Sequence, residues 1–147
     1  MPTFAENRKA YFDYEIIEKF EAGLVLSGAE VKSIKNGRMN LTGSYVNFHN
    51  GAPYLIGAFI APYQPKTQPE GYDPYNSRKL LLTKNEIKYM AGKVNERGLT
   101  LVPIKVYNKG RRIKLELAIA KGKKQYDKRA SISKREAKRK IERSIDL

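Results

Sequence analysis

Residues 99–120 have the sequence LTLVPIKVYNKGRRIKLELAIA, and this stretch decides which fold the sequence predicts. Apolar residues, several of them β-branched, recur through both halves, which is typical of β-strands. The turn residues Asn108-Lys109-Gly110 lie between the halves and predict a tight connection. We therefore expect two long strands, Leu99–Val106 and Arg112–Ala120, joined as an antiparallel hairpin.

Shorter strands are predicted upstream of this hairpin. Ser44–Phe48 and Tyr54–Ile60 flank Asn50-Gly51, a dipeptide that fits the tight primed turn of a hairpin. Near the N-terminus, alternating aromatic and β-branched residues predict a strand from Tyr11 to Ile17. We expect Glu21-Ala22-Gly23 to interrupt that strand before it resumes at residues 24–26.

Two short helices are predicted by their caps. Ser27 with Glu30, and Thr83 with Glu86, have the spacing of a capping box at a helix N-terminus. Gly37 is expected to end the first helix, since glycine accepts the left-handed conformation that other residues resist. Ile87, Met90, Ala91 and Val94 form the predicted buried stripe of the second helix, which Gly98 closes.

The predicted fold class is mainly β: a small antiparallel OB-fold-like barrel with two or three short helices and a flexible basic C-terminal tail. Five or six strands, mostly joined by hairpins, favour a barrel because an open sheet would expose its edges. A loop from Pro62 to Ser77 is unusually long for a compact domain, which indicates a functional or mobile segment.

The composition changes after residue 120, so we expect a barrel at 1–120 and a basic tail at 121–147. The tail has eleven Lys or Arg and four acids, a net charge of +7. Its small apolar surface does not offset the entropy of ordering, and we expect it to be disordered alone. Ala137, Ile141 and Ile145 recur every four residues, which predicts a helix that forms on an RNA surface.

The whole chain is strongly basic, with 147 residues and a net charge of +14. Such a field attracts polyanions, so nucleic acid or an anionic membrane are the first partners to consider. A membrane is not expected, because the longest mostly apolar stretch, Tyr54–Tyr63, has about half of the roughly 20 residues that a spanning helix needs. Met1–Asn7 has no apolar core of a secretory signal, which favours a cytoplasmic protein.

The sequence offers no pattern typical of an active site. It has no cysteine, which excludes disulfides, thiolate metal sites and cysteine nucleophiles. Its single histidine, His49, lies beside the Asn50-Gly51 turn without a second ligand nearby in the sequence, so we expect an exposed turn residue. No Gly-rich phosphate loop or paired-His motif occurs. We predict that the protein is not an enzyme and has no catalytic residue, metal site or cofactor.

Aromatic residues interleaved with basic ones favour nucleic-acid binding. Ten tyrosines and five phenylalanines are available to stack on unpaired bases while Lys and Arg neutralise phosphates. The alternative is that most rings are core or strand surface, which we expect for Phe20, Tyr45 and Phe59. Composition does not separate RNA from DNA. The run 121–129 is more specific, since it places Tyr126 among basic residues directly after the last predicted strand; a solubilising tail is the alternative.

Seven short motifs occur in order along nearly the whole chain. They are Glu21-Ala-Gly23, Glu30-Val-Lys-Ser33, Gly43-Ser-Tyr-Val46, Ile60-Ala-Pro-Tyr63, Arg78-Lys-Leu-Leu-Leu82, Gly98-Leu-Thr-Leu-Val-Pro103, and Ala120-Lys-Gly-Lys-Lys124 with Asp127-Lys-Arg129. This pattern resembles the SmpB family, the SsrA-binding proteins.

The resemblance implies an OB-fold barrel that binds the tRNA-like domain of tmRNA in trans-translation. Barrel and RNA together would imitate a tRNA entering a ribosome that has no codon in its A site. The tail would fold as a helix in the decoding centre and the mRNA channel, against rRNA. Elongation factor Tu would be a partner through tmRNA, and it and the ribosome would perform the chemistry. Neither DNA nor a membrane is an expected partner.

The resemblance also implies which residues bind RNA. The positions that match the tmRNA-binding face of the family are Asn7, Glu21, Gly23, Leu82, Lys114, Lys121, Lys123 and Lys124. The positions expected to contact the decoding centre and the channel are Tyr126, Asp127, Lys128, Arg129, Lys134, Arg135, Lys138 and Arg139.

Glu21 is an unusual member of a phosphate-binding surface. In the resembling proteins a Glu here could accept a hydrogen bond from a base edge or a 2′-OH; the alternative is that it orients a neighbouring Lys. Phe12 and Thr83 each stand where many members have His, so a polar RNA contact at residue 12 is lost or replaced by stacking. Residues 64–77 depart from the family pattern, and no role is carried onto them.

Two other functions stay open on the sequence alone. A structural rRNA-binding protein of the ribosomal type would be equally small and basic, but it would be present on every ribosome. A metal-dependent nuclease would cleave RNA and would lose that activity with a chelator.

Overall fold

The computed structural model describes residues 2–64, 71–96 and 98–123. The elements in these residues, in chain order, are β1 (Thr3–Glu6), α1 (Arg8–Asp13), β2 (Tyr14–Leu24), α2 (Gly28–Lys35), β3 (Met39–Asn40), β4 (Tyr45–His49), β5 (Ala52–Ile56), β6 (Phe59–Ile60), β7 (Arg78–Leu81), α3 (Lys84–Val94), β8 (Leu99–Lys109) and β9 (Arg112–Gly122).

Seven of the strands form one antiparallel sheet in the order β1-β8-β9-β2-β7-β5-β4, and β3 pairs with β6 in a separate ribbon. The sheet curls until β4, its last strand, lies against β8. Within the described residues, no ladder of hydrogen bonds joins these two strands, so the barrel stays open at that seam. The predicted mainly β, antiparallel class is confirmed, although the described residues contain more strands than the five or six expected.

The β8–β9 hairpin is the longest part of the sheet, with 11 residues in each strand. Lys109 pairs with Arg112, so the turn is Gly110-Arg111 and lies slightly later than predicted. Gly110 has a φ of 61°, which explains the glycine. Leu115, Leu117 and Ile119 point inward and are almost completely buried. β9 ends at Gly122, two residues beyond the predicted boundary of the barrel.

The expectation for the N-terminal region was wrong in two respects. Helix α1 replaces the start of the predicted strand at residues 11–17, because Ala10 packs onto the sheet and holds a helical turn there. Strand β2 then continues through Glu21-Ala22-Gly23 instead of breaking, since each of these residues pairs with β9. Gly23 serves close packing: a Cβ atom there would lie 3.2 Å from Leu81 Cβ.

Both predicted capping boxes are present, at Ser27 with Glu30 and at Thr83 with Glu86. Gly37 ends the first helix with a φ of 75°, as expected. In the second helix Met90 is completely buried. That helix ends at Val94, and Gly98 lies in the turn that leads to β8. No helix in the described part of the chain is long and apolar enough to span a bilayer.

The Asn50-Gly51 hairpin is also confirmed, with positive φ angles of 51° and 79° at its two turn residues. The predicted strand 54–60 is split, however. β5 ends at Ile56, and Gly57, with a φ of 79°, turns the chain into β6. This turn separates the β3–β6 ribbon from the main sheet.

A buried ionic network joins α2 to β7 and to the loop after β6. The guanidinium of Arg78 lies 2.8 Å from a carboxylate oxygen of Glu30, and it donates a 2.7 Å hydrogen bond to the carbonyl of Ala58. The hydroxyl of Tyr72 donates to the carbonyl of Ile60 at 3.0 Å and accepts a hydrogen bond from Arg78 at 3.2 Å. These bonds satisfy a charge that would otherwise be costly to bury.

Candidate nucleic-acid interface

The outer side of strands β2, β9 and β8 carries a cluster of charged and aromatic side chains at one end of the sheet. Opposite residues in the three strands point to the same side, and successive outward residues are two positions apart. We call this cluster the Glu21 face; its members are Lys19, Glu21, Gly23, Lys105, Tyr107, Lys109, Lys114 and Glu116. Its four lysines outnumber its two glutamates, so the face is basic overall.

Glu21 is held by two donors from β8, two strands away. The hydroxyl of Tyr107 donates a hydrogen bond to one carboxylate oxygen, and the ammonium of Lys109 donates to the other at 3.0 Å. These two hydrogen bonds, from Tyr107 and then Lys109, lower the pKa of the Glu21 carboxyl below its ordinary value. The carboxylate is therefore ionised at neutral pH and keeps lone pairs available for another donor.

Tyr107 supports this arrangement from a buried position. Burial first, and then its hydrogen bond to Glu21, raise the pKa of the Tyr107 hydroxyl above its ordinary value. The hydroxyl therefore stays protonated and acts as a donor. The ammonium of Lys105 lies 5.5 Å from the centre of the Tyr107 ring, within the range of a cation–π contact.

The carboxylate of Glu116 lies between two lysines on the same face. Its carboxylate lies 3.5 Å from the ammonium of Lys19 and 3.9 Å from that of Lys105. The ammonium of Lys19 also lies 5.4 Å from the centre of the Tyr11 ring on α1. Contacts with Tyr11 and then Glu116 raise the pKa of Lys19, so it is fully charged at neutral pH.

A shallow groove continues the Glu21 face toward α2 and β7. Its volume is about 410 Å³, and its lining residues are Gly23, Leu24, Leu26, Val31, Leu81, Arg111, Arg112, Ile113 and Lys114. The lining combines apolar side chains with two arginines and one lysine. Leu81 is 55% exposed beside Gly23. An apolar surface with basic edges suits a nucleobase or ribose with its phosphate.

The structure brings together three of the residues that the resemblance assigned to RNA binding: Glu21, Gly23 and Lys114. Leu82 follows β7 and packs against the core. Its neighbour Leu81 is the more exposed of the two and lines the groove beside the Glu21 face. The sequence argument missed the partners that β8 supplies, Tyr107 and Lys109. Their alternation in β8 was visible, but the register with β2 was not.

Asn7 lies apart from the Glu21 face and is 8% exposed. Its side-chain amide donates a 2.9 Å hydrogen bond to the carbonyl of Pro103, and its backbone N–H donates to that of Ile104 at 2.7 Å. These bonds fix the start of α1 to an irregularity in β8, between Pro103 and Lys105. This geometry gives Asn7 a structural role in the protein without RNA.

Of the predicted basic residues at the end of β9, Lys123 contacts α1, whereas Lys121 lines a cleft with Tyr89 and Lys93 of α3. Lys121 pairs with Glu15 in the ladder between β9 and β2. Lys123 donates a hydrogen bond from its ammonium to the carbonyl of Tyr11 at 2.9 Å. Because the Tyr11 ring contacts Lys19, α1 connects this end of β9 with the Glu21 face.

The remaining predicted RNA contacts lie outside the described residues. They are Lys124, Tyr126, Asp127, Lys128, Arg129, Lys134, Arg135, Lys138 and Arg139.

Within residues 2–64, 71–96 and 98–123, no three His, Asp or Glu side chains are close enough to hold a metal ion. His49 is exposed beside the hairpin turn, and its ring centre lies 6.3 Å from that of Tyr54. The Glu21 face presents lysines and two carboxylates, and the groove beside it presents apolar side chains.

Comparison with known proteins gives a consistent result. A family model described as "SmpB protein" matches residues 4–146. A protein named SsrA-binding protein from Chloroflexus aggregans is 52% identical over 141 residues, which cover 96% of this chain and 89% of the relative. An SsrA-binding protein from Carboxydothermus hydrogenoformans is 51% identical, with coverages of 96% and 94%.

A solved structure described as "tmRNA-SmpB: a journey to the center of the bacterial ribosome" contains a similar chain. The TM-score is 0.66 and the sequence identity 48%, and the match covers 82% of this chain and 84% of the other.

Proposed function

Because the chain belongs to the SmpB family, we propose that it binds the tRNA-like domain of tmRNA and delivers alanyl-tmRNA to stalled ribosomes in trans-translation. The observation that carries this proposal is the Glu21 face, where fixed cations surround one ionised acceptor next to an apolar groove. The similarity to a chain from a tmRNA–SmpB ribosome complex supports the same function. The site of action is the cytoplasm, where ribosomes work.

Two kinds of contact would act together on the Glu21 face. Lys19, Lys105 and Lys114 neutralise phosphates, which provides affinity without sequence specificity. Glu21 accepts a hydrogen bond from a 2′-OH or a base edge, which a phosphate-only surface cannot do. Glu21 also fixes Lys109 at 3.0 Å, so the two roles considered for it from the sequence are compatible. The groove beside Gly23 takes an unpaired base or ribose.

The tail would make the second contact. Residues 121–147 have a net charge of +7, and in this proposal Tyr126–Arg129 meet the decoding centre while the later basic residues hold a helix in the empty mRNA channel. Elongation factor Tu would join through tmRNA. The protein itself would catalyse nothing, since the factor and the ribosome perform the chemistry.

Sequencing the RNA that co-purifies with the full-length chain tests the function directly. We expect one dominant species, tmRNA. Recovery of ribosomal RNA in proportion to all ribosomes would instead support a structural ribosomal protein. Cleavage of the bound RNA in magnesium, abolished by a chelator, would support a nuclease. Either result would overturn the proposal.

The tail contact needs its own experiment. Deleting residues 131–147 should leave tmRNA binding nearly unchanged, because the Glu21 face and Lys121–Lys124 remain, but rescue of stalled ribosomes should collapse. Ile141→Pro changes no charge and should have the same effect, since proline in a helix interior costs about 3 kcal/mol or more. Normal rescue by the proline variant would contradict the induced helix. Loss of tmRNA binding on deletion would make the tail part of the primary site.

A further inference from the structure

A small pocket lies between β1, α1 and β8, at the edge of the Glu21 face. We call it the Tyr11 pocket; its volume is about 150 Å³, and its lining residues are Glu6, Asn7, Arg8, Tyr11, Ile104 and Lys105. An apolar cavity of about 150 Å³ accommodates one benzene molecule. The pocket thus has the size of a single six-membered ring, and the family resemblance assigned RNA binding to only one of its residues, Asn7.

The irregularity in β8 explains why a pocket forms at this place. Pro103 pairs with Leu117 and Lys105 pairs with Glu116, so Ile104 is an extra residue without a partner in β9. An extra residue of this kind interrupts the alternation of side chains along a strand. Two successive residues of β8, Ile104 and Lys105, therefore line the same pocket, one of them apolar and buried and the other charged.

Tyr11 supplies the aromatic ring of the pocket. The residue is 45% exposed, and the ammonium of Lys19 lies 5.4 Å from the centre of its ring. Its backbone is fixed as well, because the carbonyl of Tyr11 accepts a 2.9 Å hydrogen bond from the ammonium of Lys123. A ring that is held in place before a ligand arrives loses little conformational entropy when it stacks on a base.

The charged residues of the pocket offer both a cation and an acceptor. Arg8 Nε lies 3.2 Å from a carboxylate oxygen of Glu6, and the Arg8 side chain is 90% exposed. A guanidinium has five N–H donors and a carboxylate has two acceptor oxygens, so this pair retains hydrogen-bonding capacity for a ligand. A nucleotide could use the acceptor for a base N–H and the cation for a phosphate.

Lys105 connects the Tyr11 pocket with the Glu21 face. Its side chain lines the pocket, and its ammonium lies 5.5 Å from the centre of the Tyr107 ring and 3.9 Å from the carboxylate of Glu116. Lys19 makes a second connection, since it contacts both Glu116 and the Tyr11 ring. An RNA strand on the Glu21 face therefore lies within one side chain of the pocket.

From this geometry we infer that the Tyr11 pocket receives one unpaired pyrimidine of the RNA that the Glu21 face holds. The base leaves the RNA stack and stacks on Tyr11, as unpaired bases do on aromatic side chains. Arg8 and Lys105 neutralise the phosphates on either side of it. A pyrimidine fits because it has one ring, whereas a purine has two. The inference rests on the proposed function, which makes that RNA tmRNA.

The test replaces each unpaired pyrimidine of the tRNA-like domain in turn by an abasic nucleotide and titrates each RNA with the full-length protein. One position should lose affinity about 5- to 150-fold, the range for one stacked base, and a purine there should also bind more weakly. Tyr11→Ala should lose as much with the unmodified RNA and no more with the abasic RNA. Tyr11→Phe keeps the ring and should bind nearly as tightly as the wild type. Tyr75→Ala is the matched control, since Tyr75 is 57% exposed but lies outside the pocket, and its effect should add to that of the abasic nucleotide.

Three results would overturn the inference: no sensitive position in the wild type, equal binding of a purine at the sensitive position, or additive losses from Tyr11→Ala and the abasic nucleotide. The first two use the wild type alone, so they decide even if Tyr11→Ala does not fold. If the wild type does not prefer tmRNA to another structured RNA of equal length, the proposed function fails. The pocket then stands if Tyr11→Ala weakens binding of oligouridylate more than that of oligoadenylate, and falls otherwise.

Discussion

Strands β2, β9 and β8 form one continuous outer surface, and its two ends differ. One end is covered by helix α1, whereas the other is open. At the covered end, Ala118 and Ala120 of β9 lie under Ala10 of α1, together with Val102 and Ile104 of β8. At the open end, the same strand β9 presents Lys114 and Glu116 on the same side.

The difference shows how side chains decide which part of a sheet becomes interior. Small apolar residues allow a helix to approach closely and exclude water, and burial of their methyl groups stabilises the fold. Charged residues keep the other end hydrated, because burying an ion without a partner is costly. The open end is thus available to a polyanion. Its side chains contribute more to binding than to the free energy of unfolding of the protein.

The largest expected effect comes from placing a charge at the covered end. Ala118→Asp should lower the free energy of unfolding by about 3 kcal/mol or more, because the carboxylate has no partner beneath α1. The control Lys114→Asp introduces the same side chain four residues away on the same side of β9, and should change stability by less than about 1 kcal/mol. Urea unfolding followed by circular dichroism measures both; equal losses would refute the distinction between the two ends.

The next effect concerns binding at the open end. Glu21→Ala should weaken tmRNA affinity by about 1–3 kcal/mol, roughly 5- to 150-fold, although it removes a negative charge from a surface that binds a polyanion. The reason is the loss of an acceptor and of the contacts that fix Lys109 and Tyr107. Glu96→Ala, which removes an exposed acid from the region after α3, is the control and should bind equally or more tightly. Tighter tmRNA binding by Glu21→Ala in the same titration would contradict the hydrogen bond. It would mean that Glu21 acts only by repelling the phosphates.

A smaller effect is expected from the donor to Glu21. Tyr107→Phe keeps the ring but removes the hydroxyl, and should cost about 0.5–1.5 kcal/mol of stability. Its tmRNA affinity should fall less than that of Glu21→Ala, since Lys109 still holds the carboxylate. A stability loss as large as that of Ala118→Asp, in the same urea experiment, would show that the open end belongs to the structural core.

The smallest effect is a pH dependence of stability. The pKa of Glu21 is below its ordinary value of 4.5 in the folded protein, so the ionised carboxylate stabilises the fold above that pH. This contribution is lost as the pH falls through the lower folded-state pKa. The difference in urea midpoint between wild type and Glu21→Gln should be constant from about pH 5 to 7 and should shrink below about pH 4. A difference as large at pH 3 as at pH 7 would assign it to a cause other than ionisation.

Local features of the fold could be predicted from the sequence, because their causes lie within a few residues. The capping boxes at Ser27 and Thr83 depend on an acid three positions later, and the Asn50-Gly51 turn depends on two adjacent residues. Helix α1 could not be predicted in this way. Its six residues are held by contacts of Ala10 with strands about 100 residues away, such as those at Val102 and Ile104.

The same limit applies to the candidate site. Glu21, Gly23 and Lys114 were identified through a family resemblance, not through their surroundings. The contacts that explain Glu21 join it to Tyr107 and Lys109, which are 86 and 88 residues away. Only the register of β2 with β9, and of β9 with β8, brings these side chains together.

Strand β9 has a mechanical consequence for the C-terminal segment that continues from it. It is bonded on both sides, to β2 and to β8, along almost its whole length. At its end, the backbone N–H of Lys123 donates a 2.9 Å hydrogen bond to the carbonyl of Asp13. A pull on the chain beyond Lys123 therefore loads two ladders in shear, and many hydrogen bonds share the force at once. This interior strand is thus a firm attachment point from which tension on the tail is transmitted to the strands on either side.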